Sequence, residues 1–137
     1  MSKETSLLEM KRNSIKDTPK SNPTSDNIVE LMEKEWPEMT KEFKKLQREQ
    51  YELFCHKQHD YGPGNISVGT QLKTKEEINL SLTGLWFRMN DKLQRVKTLL
   101  MTGRKSAVQD EPLEDAYLDV SNYGIMATLV GRGKWGK

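Results

Sequence analysis

The sequence predicts an all-α protein, and three observations carry that prediction. Ile78, Leu82, Leu85, Met89, Leu93, Val96 and Leu100 follow one another in steps of three or four, the spacing of one helix face. Thr74-Lys75-Glu76-Glu77 stands at the head of this run as a capping box, in which hydroxyl and carboxylate satisfy the orphan amides of a helix start. No stretch of useful length alternates apolar and polar residues as a half-buried strand does.

Taken in order, residues 1–25 read as a flexible tail, rich in Ser, Thr, Lys, Asn and Pro, with little beyond Leu7, Leu8, Met10 and Ile15 to bury. Residues 26–137 form a single helical domain. Ile28, Leu31 and Met32 mark a short amphipathic segment that Pro37 interrupts. Proline suits the first position of a helix, so Pro37 opens the next one. Met39, Phe43, Leu46, Gln50, Leu53 or Phe54, and Lys57 share its face, and it ends near His59. Asp60-Tyr61-Gly62-Pro63-Gly64-Asn65 follows as a rigid type II turn, with Pro63 and Gly64 at its centre. The capped helix runs to Gly103. A polar loop, 102–109, leads to a last helix with Asp110 as its cap, ending near Val130. A basic, glycine-rich segment, 131–137, closes the chain.

Totals exclude several classes. Hydrophobic residues make up 34% and charged residues 31% of 137. That is thin for a large private core, so apolar helix surface is expected to be completed by a second subunit, as a dimer or tetramer. A net charge of +2 argues against a nucleic-acid coat. No apolar run is long enough for a membrane span. A single cysteine, Cys55, excludes an intramolecular disulfide framework and suits a reducing compartment, so a cytoplasmic location is expected. Lys3, Glu4, Glu9, Lys11 and Arg12 stand where a secretory signal needs apolar residues.

The last helix is unusual. Residues 116–130, AYLDVSNYGIMATLV, are apolar on nearly every side, and Asp119 is their one charge. A helix of that kind is buried, and a buried carboxylate must be paired, hydrogen-bonded or metal-bound. Asp115, Asp119 and Asn122 share one face. Two carboxylates and an amide oxygen suit Mg²⁺, although a first-turn acid and a polar seam explain the same spacing. On the preceding helix Arg88, Asp91 and Arg95 are spaced three and four, with Asn90 and Lys92 flanking. Asp91 could complete a metal site, and Arg88, Lys92 and Arg95 could meet phosphate; spacing alone favours a solvated face. Lys57 or His59 could meet phosphate as well, while Tyr61 and Asn65 could position a base or sugar; a helix stop and a well-built turn explain the same residues. Cys55, Trp86 and Phe87 read as packing residues. His56 and His59 lack the partners that a zinc site needs. Arg132, Lys134, Trp135 and Lys137 give weak grounds for nucleic-acid contact.

Several unbroken strings carry a resemblance. His59-Asp60-Tyr61-Gly62-Pro63-Gly64-Asn65-Ile66, then LSLTGLWFRMNDKLQRVKTLL (80–100), DEPLEDAYLDVSNYGIMATL (110–129) and RGKWGK (132–137) resemble the nucleotide modification associated domain 1 family, widespread in phages. That family is distantly similar to the all-α nucleoside triphosphate pyrophosphatases of the MazG and dUTPase type. The resemblance implies a MazG-like helical bundle that holds Mg²⁺ on acidic residues of two helices. It implies hydrolysis of a nucleoside triphosphate to monophosphate and pyrophosphate. Carried over, Asp91 and Asp119 are the catalytic positions and Asp91, Asp115 and Asp119 the metal ligands. Asn122 is similar to the Asn of the Asp-x-x-Asn-Tyr pattern of related phage enzymes, and with Lys57, Tyr61, Asn65, Arg88, Lys92 and Arg95, singled out above, it is expected to take the substrate. The chain also departs from the pattern. Asp115 precedes Asp119 by four residues where three is usual, and Asn90-Asp91 with Gln94 stands where three glutamates are expected. A nucleotide-binding protein that does not cleave is the alternative these departures favour.

Overall fold

In a computed structural model of the chain, residues 24–109 and 111–137 are described; most of the expected tail and the expected cap Asp110 lie outside them. Among the described residues there are five helices and no strand: α1 (Ser25–Glu35), α2 (Pro37–Tyr61), α3 (Gly64–Ser67), α4 (Lys75–Thr102) and α5 (Leu113–Gly131). The protein is all-α. None of these helices is long and apolar enough to cross a membrane. The chain divides between Lys44 and Lys45, inside α2, into two compact units.

In the first unit, the Thr24 hydroxyl caps α1 by accepting from the Asn27 N–H at 3.3 Å. Pro37 disfavours helical geometry in the residue before it, so α1 stops at Glu35. α1 buries none of its residues. Trp36, Met39 and Phe43 are exposed as well. Glu33 and Lys44 pair at 3.0 Å, a surface contact of small energetic weight.

The second unit is built on α4 and α5, which pack along one another. The capping box of α4 forms as the sequence predicts, with Thr74 Oγ1 accepting from the Glu77 N–H at 3.1 Å and Glu77 reaching back. Gly103 ends α4 in the left-handed region that glycine enters freely. Ile66, Leu85, Met126, Val130 and Trp135 form the buried cluster, with Phe54, Ile78, Leu82 and Tyr123 against it.

The segment after α2 differs from the expected type II turn. Gly62 carries the positive φ, +67°, and Pro63 is right-handed helical, so Gly64 begins α3 instead of closing a turn. The cause lies upstream. α2 continues to Tyr61, and Gly62 takes the cap role by donating its N–H to the Gln58 carbonyl at 2.8 Å. The carbonyl of Pro63 then accepts from the N–H groups of Ile66 and Ser67 and from Trp135 Nε1 at 3.0 Å. Ser81 Oγ, buried on α4, donates to the Ile66 carbonyl at 2.7 Å, and Arg88 Nη2 donates to that of Asn65 at 3.1 Å. α3 is thus pinned by α4 from below and by Trp135 from the side.

Burial is less complete than periodicity predicts. α5 buries Ala116, Asn122, Met126 and Val130, yet Tyr117 and Ile125 are exposed. Leu93, Leu100, Trp86 and Phe87 of α4 are exposed too, and so is Cys55. A helix apolar on all sides needs neighbours on all sides, and this unit supplies them on only part of α5.

Replacing Ser81 by alanine leaves the buried Ile66 carbonyl without its side-chain donor. Stability should fall by about 1–3 kcal/mol in denaturant unfolding. An unchanged midpoint would show that α3 does not depend on this bond.

Candidate functional site

At Asp119 charges of three helices converge. Its side chain is 15% exposed. Lys92 Nζ of α4 lies 3.0 Å from Oδ2, and Lys57 Nζ of α2 lies 3.5 Å from Oδ1. A carboxylate carried by an otherwise apolar helix requires such neutralisation, because ionisation without a partner away from water is costly. The hydrogen bond to Asp119 raises the Lys92 ammonium above its ordinary value of 10.5, against the lowering effect of partial burial.

Around this triad lies a cavity of about 350 Å³. Its polar wall combines Lys57, Lys92 and Arg95 with Glu111, Asp115 and Asp119. Leu53, Ala116 and Leu118 supply the apolar part. Arg95 has a second task. It donates to Ser106 Oγ at 2.9 Å, to the Pro112 carbonyl at 3.4 Å and to the Glu111 carbonyl, and so ties the loop before α5 to α4.

Five of the residues singled out from the sequence therefore meet here: Lys57, Lys92, Arg95, Asp115 and Asp119. The others lie elsewhere. Asp91 is exposed and does not line the cavity. Arg88 holds the Asn65 carbonyl, and the Asn65 side chain accepts from Gln58 Nε2 at 2.8 Å, so both serve the α3 junction. Tyr61 is exposed at the end of α2. Asn122 is buried, donates to the Gln50 backbone carbonyl at 3.4 Å and does not line this cavity. Trp135 is buried in the core, which withdraws the one aromatic of the basic C-terminal segment from stacking. Glu111 is a cavity residue that the sequence reading passed over. Its signal was present, since Glu111, Asp115 and Asp119 recur every four residues.

A preformed magnesium site of Asp91, Asp115 and Asp119 does not fit this arrangement. Among the described residues no group of three His, Cys, Asp or Glu side chains is placed to hold a metal ion. The most enclosed carboxylate, Asp119, carries an ammonium on each oxygen instead.

The raised Lys92 value has a consequence for stability. A lysine whose folded value lies above its unfolded one contributes fully at pH below about 10.4 and loses that contribution as pH rises through the folded value. The difference in unfolding free energy between the protein and Lys92→Met should be constant from pH 7 to about 10 and shrink above that. Denaturant titrations across this range test it. A difference that persists at the alkaline end would mean that packing, not the ammonium, is responsible.

Comparison with known proteins adds one positive finding. No curated protein and no solved structure matches the chain. Residues 57–130, from Lys57 at one edge of the cavity to the end of the core helix α5, match the family described as nucleotide modification associated domain 1. That stretch is more than half of the chain and contains Lys57, Lys92, Arg95, Asp115 and Asp119, and the chain belongs to that family.

Proposed function

We propose that the Asp119 cavity binds the phosphate chain of a nucleotide. The observation that carries this reading is the pair of lysines held side by side on one carboxylate. An ammonium has three N–H donors, and Asp119 engages one from each lysine. Each ammonium keeps further donors, and Lys57, Lys92 and Arg95 all line the cavity. Asp119 acts here as a positioning residue, since without it the two like charges repel one another and spread. Lys57 is half exposed, so it reaches a ligand entering from solvent.

Cleavage to monophosphate and pyrophosphate is the second reading. Asp115, beside Asp119 on the same wall, favours it. Magnesium enters such sites with the phosphates themselves and asks for only one or two protein carboxylates. The two readings separate at Asp119, which in the first holds cations and in the second must also release them.

A stripe on α4 supports a homo-oligomer. Trp86, Leu93 and Leu100 are exposed at intervals of seven, the repeat with which one helix meets another. Leu93→Lys should shift the sedimentation coefficient to that of a monomer, and an unchanged value would count against this stripe.

Titration of the protein with each ribo- and deoxynucleoside triphosphate, with and without Mg²⁺, tests the function. Calorimetry and product chromatography are read together. Triphosphate binding is expected, and Lys92→Met and Lys57→Met should each weaken it about tenfold or more, the worth of one charge-assisted hydrogen bond. Absence of binding to every nucleotide would refute the phosphate reading. Release of pyrophosphate, lost in Asp119→Asn, would establish the hydrolase.

A further inference from the structure

The contact between α2 and α5 has a second cavity, on a different flank from Asp119. It measures about 360 Å³. Tyr51 and Phe54 of α2 and Ile125 and Met126 of α5 wall it, and the polar residues Gln50 and Asn122 line it as well. A mostly apolar cavity of this size with a few fixed polar groups is the usual form of a small-molecule site.

The two amides define what such a molecule must offer. Gln50 and Asn122 are only 7% and 8% exposed. Gln50 Nε2 donates to the Leu118 carbonyl at 3.5 Å, and Asn122 Nδ2 donates to the Gln50 backbone carbonyl at 3.4 Å. A carbonyl can only accept, so these bonds fix which end of each amide is nitrogen. Among the described residues Gln50 Oε1 and Asn122 Oδ1 are left without a donor. No sealed side-chain polar atom among the described residues lacks a partner, so neither oxygen is sealed, and both residues line this cavity. A purely hydrocarbon ligand would leave both acceptors unmatched, at a cost of about 1–3 kcal/mol each. The aromatic wall also carries a cation beside it. The Arg48 guanidinium lies 5.9 Å from the centre of the Tyr51 ring, and Arg48 pairs with Glu52 at 3.0 Å.

We infer that this cavity binds a planar nitrogen heterocycle of the nucleobase class that carries amino or ring N–H donors. The ring lies against Tyr51 and Phe54, and its donors meet Gln50 Oε1 and Asn122 Oδ1. Two acceptors favour bases with an exocyclic amino group (adenine, cytosine and guanine), whose –NH2 carries two N–H donors, over uracil and thymine, whose base carries a single N–H once joined to the sugar. The inference does not rest on the phosphate reading, because none of these residues lines the Asp119 cavity.

Phosphate-free nucleosides test it separately. Adenosine, cytidine, guanosine, uridine and thymidine would be titrated by ligand-observed NMR and calorimetry. The amino-bearing nucleosides should bind about tenfold or more tightly than uridine and thymidine, the worth of one matched acceptor. Tyr51→Ala, at an exposed position that leaves the core intact, should weaken binding about fivefold or more. Lys92→Met should leave it unchanged, which separates failure here from failure of the phosphate cavity. Lack of binding by all five nucleosides, equal binding by all five, or full binding by Tyr51→Ala would overturn the proposal. So would a dimer that Tyr51→Ala dissociates and that excludes nucleosides, since a second copy would then be the occupant.

Discussion

The need to neutralise one carboxylate governs much of this structure. α5 is apolar along most of its length, and Asp119 is a charge it cannot leave unpaired. The partners come from two other helices, Lys57 from α2 and Lys92 from α4. One side chain thereby ties three elements, and the cavity beside it exists because these elements converge there. Replacing the three charges by apolar groups of similar size could keep the helices together, since buried ion pairs seldom add net stability. It would erase the polar wall of the cavity. On the proposed reading, the triad serves a ligand more than it serves folding.

Much of the fold was legible because the signals were local. The capping box at Thr74, the three-four rhythm from Ile78 to Leu100 and the glycine stop at Gly103 each act within a few residues, and α4 follows them. The segment 60–65 was not legible in the same way. Pro63 and Gly64 have the residue types of a type II turn, but Gly62 had already closed α2, and the junction is held by Ser81, Arg88 and Trp135 from distant parts of the chain. Propensity describes what a segment accepts; long-range bonds selected the conformation.

The site was legible by composition and less so by partnership. Helix spacing put Asp115 and Asp119 on one face, and that much holds, but it could not say that Lys57 would cross from α2 to meet Asp119. The Arg88, Asp91 and Arg95 stripe illustrates the limit. Three charged residues share a helix face, yet Arg88 braces α3, Asp91 faces solvent and Arg95 anchors the loop before α5. Periodicity assigns a face, and the neighbours assign the role. Gln50 and Asn122 show the same limit, because each interprets the other across 72 residues.

The bond between Trp135 and Pro63 spans 72 residues and sets an order of events. During synthesis α2, α3 and α4 emerge first, while the indole that locks the Pro63 carbonyl and fills the core beside Phe54 is still to come. Contacts so far apart along the chain are slow to form because a long loop must close first. The nascent segment therefore passes through an interval in which Ile66 and Leu85 have lost water only in part. In that interval the protein is most open to proteases and to association with other chains.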